Sequence, residues 1–128
     1  MPQSCILLVE DDVLVRASLS EYLRECGYDV LEAIDGEEAR RLFTLGGKPI
    51  HLVLANANAP GEGAFGLAHW IRNGYPDVEV ILTGSVAKAA GKVGDLCEDG
   101  PAQSVPYDHS LLLDRIRRLM AARDRHPR

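Results

Sequence analysis

Ile50-His51-Leu52-Val53-Leu54-Ala55-Asn56-Ala57-Asn58-Ala59-Pro60-Gly61 is the stretch that decides the fold. Ile50 to Ala55 is an apolar run too short for a helix, preceded by Gly46-Gly47 and followed by Pro60-Gly61, which suits a strand covered on both faces. It ends at Asn56, where a side chain would stand exposed in a loop. Upstream, Ile6 to Val9 is a second aliphatic run of the same kind, and it ends in three consecutive acids, Glu10, Asp11 and Asp12. A fold rarely sets three acids together without a cation or other charge partner, so the two strand ends are predicted to meet.

Between and after these runs, strand and helix signals alternate. Val15, Leu19, Tyr22, Leu23 and Cys26 recur at helical spacing, and Gly27 stands where a helix commonly ends in a left-handed residue. A short strand follows over Asp29 to Ala33. Asp35 then caps a helix, with Glu38 three residues on and Glu37 and Glu38 favourable at the positive end of the helix dipole. Its buried face is Ala39, Leu42 and Phe43, and Gly46-Gly47 stops it. After the central strand, Leu67, Ala68 and Ile71 mark a helix closed by Asn73-Gly74 before Pro76, and Val78 to Leu82 is a fourth strand.

From Val86 to Gly100 the signals conflict. Ala87 to Ala90 favours helix, whereas Gly91, Gly94 and Gly100 each weaken one by about 1 kcal/mol relative to alanine, so this segment is expected to be loosely held. Ala102 to Val105 is predicted as a polar fifth strand. Asp108 caps a last helix with Leu112, Ile116, Leu119 and Met120 inward, and 121–128 is a polar tail after a single domain over 1–120.

Five strand–helix units imply an α/β fold, a doubly wound parallel sheet with helices on both faces, since parallel strands need crossovers and these are helical. The expected strand order is 2-1-3-4-5. Ligand sites in such sheets lie beyond the carboxyl ends of the strands where the winding reverses, here between the first and third strands. Glu10, Asp11 and Asn56 all fall there.

A chain of 128 residues, 46% hydrophobic and 26% charged, has the size and composition of one ordinary soluble domain. Its net charge of -5 argues against a broad nucleic-acid footprint, and the arginines from Arg115 to Arg128 read as a solvated helix face. No apolar run approaches a membrane span and no signal-peptide order is visible, so a cytoplasmic location is expected. Three cysteines and four histidines show no metal-ligand spacing. Cys5, Cys26 and Cys97 are expected to be reduced thiols, with Cys5 and Cys26 on core-facing positions.

The acids after the first strand, the polar residue after the third and Thr83 after the fourth together resemble the receiver domain of two-component response regulators. The resemblance runs from about Ser4 to Met120. It implies a flavodoxin-like (β/α)5 fold, with two acids holding Mg²⁺ and an aspartate after the third strand that takes a phosphoryl group. The amide Asn56 stands at that acceptor position. Thr83 meets the expected switch hydroxyl. In Val105-Pro106-Tyr107 the family's lysine is replaced by Val105, and Ala102 or Gln103 stands where its switch aromatic would be. Gly61-Glu62-Gly63-Ala64 also departs from the usual Met-Asp-Gly ending of the loop after the third strand.

Phosphoryl capture needs a carboxylate nucleophile, a divalent cation, a hydroxyl or amide donor and usually an ammonium group. Two of these are missing. An amide oxygen is a poor, uncharged nucleophile, so Asn56 is not expected to form an acyl phosphate, and no enzymatic activity is expected. Losing the aspartate and the lysine together keeps the net charge of the cluster and avoids a half-made buried pair. Glu10, Asp11 and the Asn58 backbone carbonyl, with the Asn56 side-chain oxygen, form at most a weak Mg²⁺ site, and no cofactor is required. Equally, the acids can be a solvated loop and helix cap, and the Thr83 hydroxyl can simply bond nearby backbone.

The resemblance implies a stand-alone signalling module that acts by phosphorylation-independent contact with a protein: a histidine kinase, a phosphotransfer protein, another receiver, or a second copy of itself. Receivers generally present a face built from the fourth helix, fifth strand and fifth helix. One alternative keeps phosphorelay chemistry, with a kinase engaged as a decoy or phosphate accepted at a non-standard residue. A decayed, inactive domain stays open. A nucleotide-binding α/β domain ranks lower: Gly61-Glu62-Gly63-Ala64-Phe65-Gly66 matches G-x-G-x-x-G, but Asn56 to Pro60 separate it from the strand end.

Overall fold

The computed structural model describes residues 4–58, 63–98, 114–118 and 121. Strands β1 (Cys5–Val9), β2 (Asp29–Ala33), β3 (Leu52–Asn56) and β4 (Glu79–Thr83) alternate with helices α1 (Val13–Glu25), α2 (Gly36–Leu45), α3 (Ala64–Gly74) and α4 (Val86–Glu98). The four strands form one parallel sheet in the order β2-β1-β3-β4. The predicted fifth strand, 102–105, lies outside the described residues, as do Asp108, Leu112, Leu119 and Met120. Residues 114–118 are helical, and Ile116 is fully buried as its spacing predicts.

Every residue of β1 is buried, which is why its sequence is a continuous aliphatic run without alternation. Side chains on one face, Ile6, Leu8 and Leu54, pack under α1 through Val15, Leu19 and Leu23. Those on the other, Leu7, Val9 and Val53, pack under α2 and α3 through Ala39, Phe43, Leu67 and Ile71. The strand β3 runs to Asn56, one residue past the apolar run, because Asn56 pairs in register with Thr83 of β4.

Local chemistry sets the helix ends. Asp12 caps α1, its Oδ1 accepting from Leu14 N at 2.9 Å and Val15 N at 3.1 Å. At the other end Gly27 takes φ 99°, its N–H donating to Arg24 O and that of Tyr28 to Leu23 O, the paired bonds of a Schellman closure. Asp35 caps α2 through Glu38 N at 2.9 Å, while Glu38 Oε1 reaches back to Ile34 N at 2.8 Å.

One expectation is corrected here, after one conflict is resolved. Residues 86–98, where the signals conflict, form a continuous helix, α4, despite its glycines, because Ala89, Ala90, Val93, Gly94 and Cys97 form one buried stripe and tertiary packing overrides propensity. That stripe lies on the α1 side of the sheet. A right-handed crossover leading to a fifth strand beyond β4 would place the helix on the α2 and α3 side instead. The cysteines are not all reduced thiols: Cys26 and Cys97 form a disulfide with Cα atoms 5.4 Å apart, because the packing of α4 on α1 brings their ends together, and only Cys5 is a free, buried thiol.

Candidate functional site at the ends of strands β1 and β3

Parallel pairing of β1 with β3, in the register Val9 with Ala55, brings Glu10 and Asn56 side by side at the carboxyl edge of the sheet. Asn56 Nδ2 donates to both Glu10 oxygens, at 3.2 and 3.4 Å, and Asp12 N donates to Glu10 Oε2 at 2.9 Å. The Asn56 Oδ1 accepts from Asn58 N at 2.9 Å. This last bond fixes the amide orientation, because the reverse placement would set an NH₂ group against an N–H. Ala57 N donates to Thr83 O at 2.8 Å, and Asn58 Nδ2 to Gly84 O at 3.2 Å, so the loop after β3 is tied to the end of β4.

Glu10 is 5% exposed, and its burial pushes its carboxyl above the usual carboxylate range. The Asp12 N–H and the Asn56 amide pull the other way by stabilising the charged form, while the adjacent Asp11 adds to the rise. Asp11 itself is exposed. Thr83 is buried at the end of β4, and Val105 lies outside the described residues.

Arg16 has a place in the site that local sequence patterns did not signal. Its guanidinium donates to Glu10 O at 2.8 Å and to Glu32 Oε1 at 3.2 Å, clamping the strand end from α1. Only the pairing of β1 with β2, which puts Glu32 opposite Leu8, makes that bridge visible. Lys88 and Lys92, one turn apart on α4, line a cleft of about 350 Å³ with Thr83 and Leu82.

A divalent cation needs several oxygens converging on one point. Here both oxygens of Glu10 accept from protein donors, and the group facing the carboxylate is an amide NH₂. Turning that amide would sacrifice the Asn58 bond. As arranged, the Glu10 carboxylate is engaged by protein donors rather than open to a cation, and among the described residues no group of three or more His, Cys, Asp or Glu is placed to hold a metal.

Residues 6–99 match the response regulator receiver domain, and the chain belongs to that family. It is 37% identical over 79 residues to the aerobic respiration control protein ArcA of Escherichia coli (strain K12), covering 62% of this chain and 32% of ArcA. It is 31% identical over 117 residues to the probable transcriptional regulator ycf27 of Cyanophora paradoxa, covering 90% of this chain and 47% of that protein. The chain thus spans a third to a half of the length of these curated relatives. Among solved structures it resembles the response regulator TrrA of Thermotoga maritima in complex with Mg²⁺ and BeF, with TM-score 0.60 and 27% identity over 91% of this chain and 99% of that one. It also resembles the complex of the histidine kinase ThkA with TrrA, with TM-score 0.57 and 30% identity over 68% of this chain and 80% of that one. Gly63, inside the glycine-rich match, takes φ 89° and starts α3, a role that needs no nucleotide.

Proposed function

We propose that this receiver domain signals through protein contact without being phosphorylated at position 56, and that it has no enzymatic activity of its own. The observation that carries this is the Asn56 amide, hydrogen-bonded on both sides, to Glu10 and to the Asn58 backbone. Receiver chemistry calls for a carboxylate there, opposite a bound cation. The amide supplies neither negative charge nor nucleophile, and it puts a donor where the cation would be met. Mg²⁺ could enter only by displacing it, so binding is at most weak. Valine at 105 in place of the family's lysine supports the same conclusion.

The partner is a protein of the same signalling class: a histidine kinase, a phosphotransfer protein or another receiver, with self-association as a further mode. The solved complex of ThkA with TrrA supports this class. So does the rim around Asn56. Val13 at the start of α1, Ile34 at the end of β2 and Phe65 at the start of α3 are 58%, 48% and 72% exposed, and all stand at the carboxyl end of the sheet. A cytoplasmic setting goes with such partners, and among the described residues no helix is long and apolar enough to cross a membrane.

A second proposal is favoured by one observation, the exposed Asp11 carboxylate beside Glu10, which could accept phosphate at a non-standard place. Incubation with Mg²⁺ and a small-molecule phosphodonor, followed by intact-mass measurement, separates the two. Unchanged mass is expected. A protein carrying added phosphate would reject the first proposal, and peptide mapping would then identify the acceptor.

A further inference from the structure

The bond between Cys26 and Cys97 spans 71 residues of sequence and joins the C-cap of α1 to the last turn of α4. Beside it, the Tyr28 hydroxyl donates to Leu96 O at 2.6 Å. Neither link takes part in the site at Glu10 and Asn56. We propose that this cysteine pair is a reversible thiol–disulfide switch that decides whether α4 is clamped onto α1.

Helix α4 is intrinsically weak. Gly91 and Gly94 both lie inside it and disfavour helix. Its buried stripe is Ala89, Ala90, Val93, Gly94 and Cys97, joined by the partly buried Val86 and Leu96, so small residues make up most of the stripe. Small side chains permit close approach to α1 but bury little apolar area. A covalent tie at one end therefore adds directly to what holds the helix in place. By contrast β1 is anchored by fully buried Leu7 and by Ile6 and Val9 on opposite faces, and it does not depend on the bond.

The two sulfurs also differ in access. Cys97 is 4% exposed, whereas Cys26 is only half-buried at the end of α1. Cys26 is thus the half of the bond expected to meet a thiolate of an external dithiol, forming a mixed disulfide there while Cys97 leaves as a thiolate and takes up a proton. The second thiol of the reductant, deprotonated, then attacks its own mixed disulfide and releases Cys26, which is protonated in turn. The net change is two protein thiols and one oxidised dithiol. Where cellular dithiols keep thiols reduced, the protein disulfides that do form are usually transient, and either catalytic or redox-sensing.

Release of α4 would be felt at the site. The helix starts three residues after Thr83, and the Thr83 and Gly84 carbonyls hold Ala57 N and the Asn58 side chain. The switch itself stands on the cysteines alone. Only its use as an input in place of phosphate rests on the function proposed above.

Hydrogen–deuterium exchange on the whole protein, oxidised and then treated with dithiothreitol, tests this beside the Cys26→Ser variant. Full reduction is expected with far-UV circular dichroism retained, and the amides of 86–98 should exchange on the order of tenfold faster while those of β1 and β3 do not change. The variant should show fast α4 exchange with or without reductant. Four results would overturn the switch: no disulfide by intact mass after thiol alkylation of oxidised protein, resistance to dithiothreitol in the folded state, equal α4 exchange in both states, or global unfolding on reduction. Because the wild-type comparison suffices, a variant that fails to fold leaves the test intact. A phosphate adduct, which would sink the functional proposal, does not touch these outcomes.

Discussion

At Asn56, one side chain is asked to satisfy two neighbours with opposite needs, and a primary amide can do so. Its NH₂ meets the Glu10 carboxylate and its oxygen meets the Asn58 N–H. An aspartate would serve the second neighbour and repel the first. Glu10 shows the complementary cost, since burial holds its carboxyl above the ordinary range. A carboxyl whose folded pKa is raised favours folding below its unfolded value and loses that contribution as pH rises through the folded value. Glu10→Gln removes that pH dependence, at the cost of setting an NH₂ against one of the two donors that Glu10 now accepts from. The melting temperature of the variant relative to the native protein is therefore expected to rise as pH rises through the carboxylate range. A difference that stays constant with pH would show that Glu10 does not titrate with a raised pKa in the folded state. At this scale the sequence was informative about identity and silent about orientation. That Glu10 and Asn56 meet follows from two strand ends, but the bond to Asn58 N that turns the amide, and the clamp by Arg16, depend on loop geometry and strand pairing that no local pattern encodes.

Among the elements, α4 separates propensity from packing most sharply. The glycines at 91 and 94 suggested a loosely held segment, yet the small-residue stripe they belong to lies against α1. The two glycines differ in consequence. A Cβ added at Gly91 would meet nothing within 4 Å, and no positive φ is required there. Gly91→Ala is accordingly expected to stabilise the protein by about 0.5–1 kcal/mol, read from urea unfolding. An equal or lower midpoint would mean that α4 is not helical at 91 in solution. Gly94 is buried in the stripe, and no such gain is expected there. Helix caps were legible where they are local: Asp35 with Glu38, and Gly27 after Cys26, form as their spacing predicts. The Cys26–Cys97 bond was not legible, because an odd cysteine count gave no pairing rule and only the seating of α4 on α1 brings the two together.

For the whole molecule, the parallel sheet followed from counting strand–helix units, its order β2-β1-β3-β4 agrees with the doubly wound order expected for this fold, and the location of the site followed from the reversal of winding between β1 and β3. Family membership came from motifs at the strand ends, where chemistry constrains residue type, while periodicity alone gave the α/β architecture. The side of the sheet taken by α4 departs from the one that a right-handed crossover to a fifth strand implies, since an amphipathic stripe tells that a helix is covered and not by what. If the amide at 56 stands in place of a cation, stability should be independent of Mg²⁺. A ligand that binds only the folded state stabilises it by RT ln(1 + L/Kd) at free concentration L, so the melting temperature keeps rising with concentration above Kd. Asn56→Asp sets a second carboxylate against Glu10, at a cost of about 1–3 kcal/mol in the absence of metal, and Mg²⁺ should then recover much of it. The deciding measurement is the melting temperature of both proteins across a Mg²⁺ titration from chelator to millimolar. The account predicts a flat line for the native chain and a rising one for Asn56→Asp. A rise in the native chain that grows with the logarithm of Mg²⁺ concentration would contradict it.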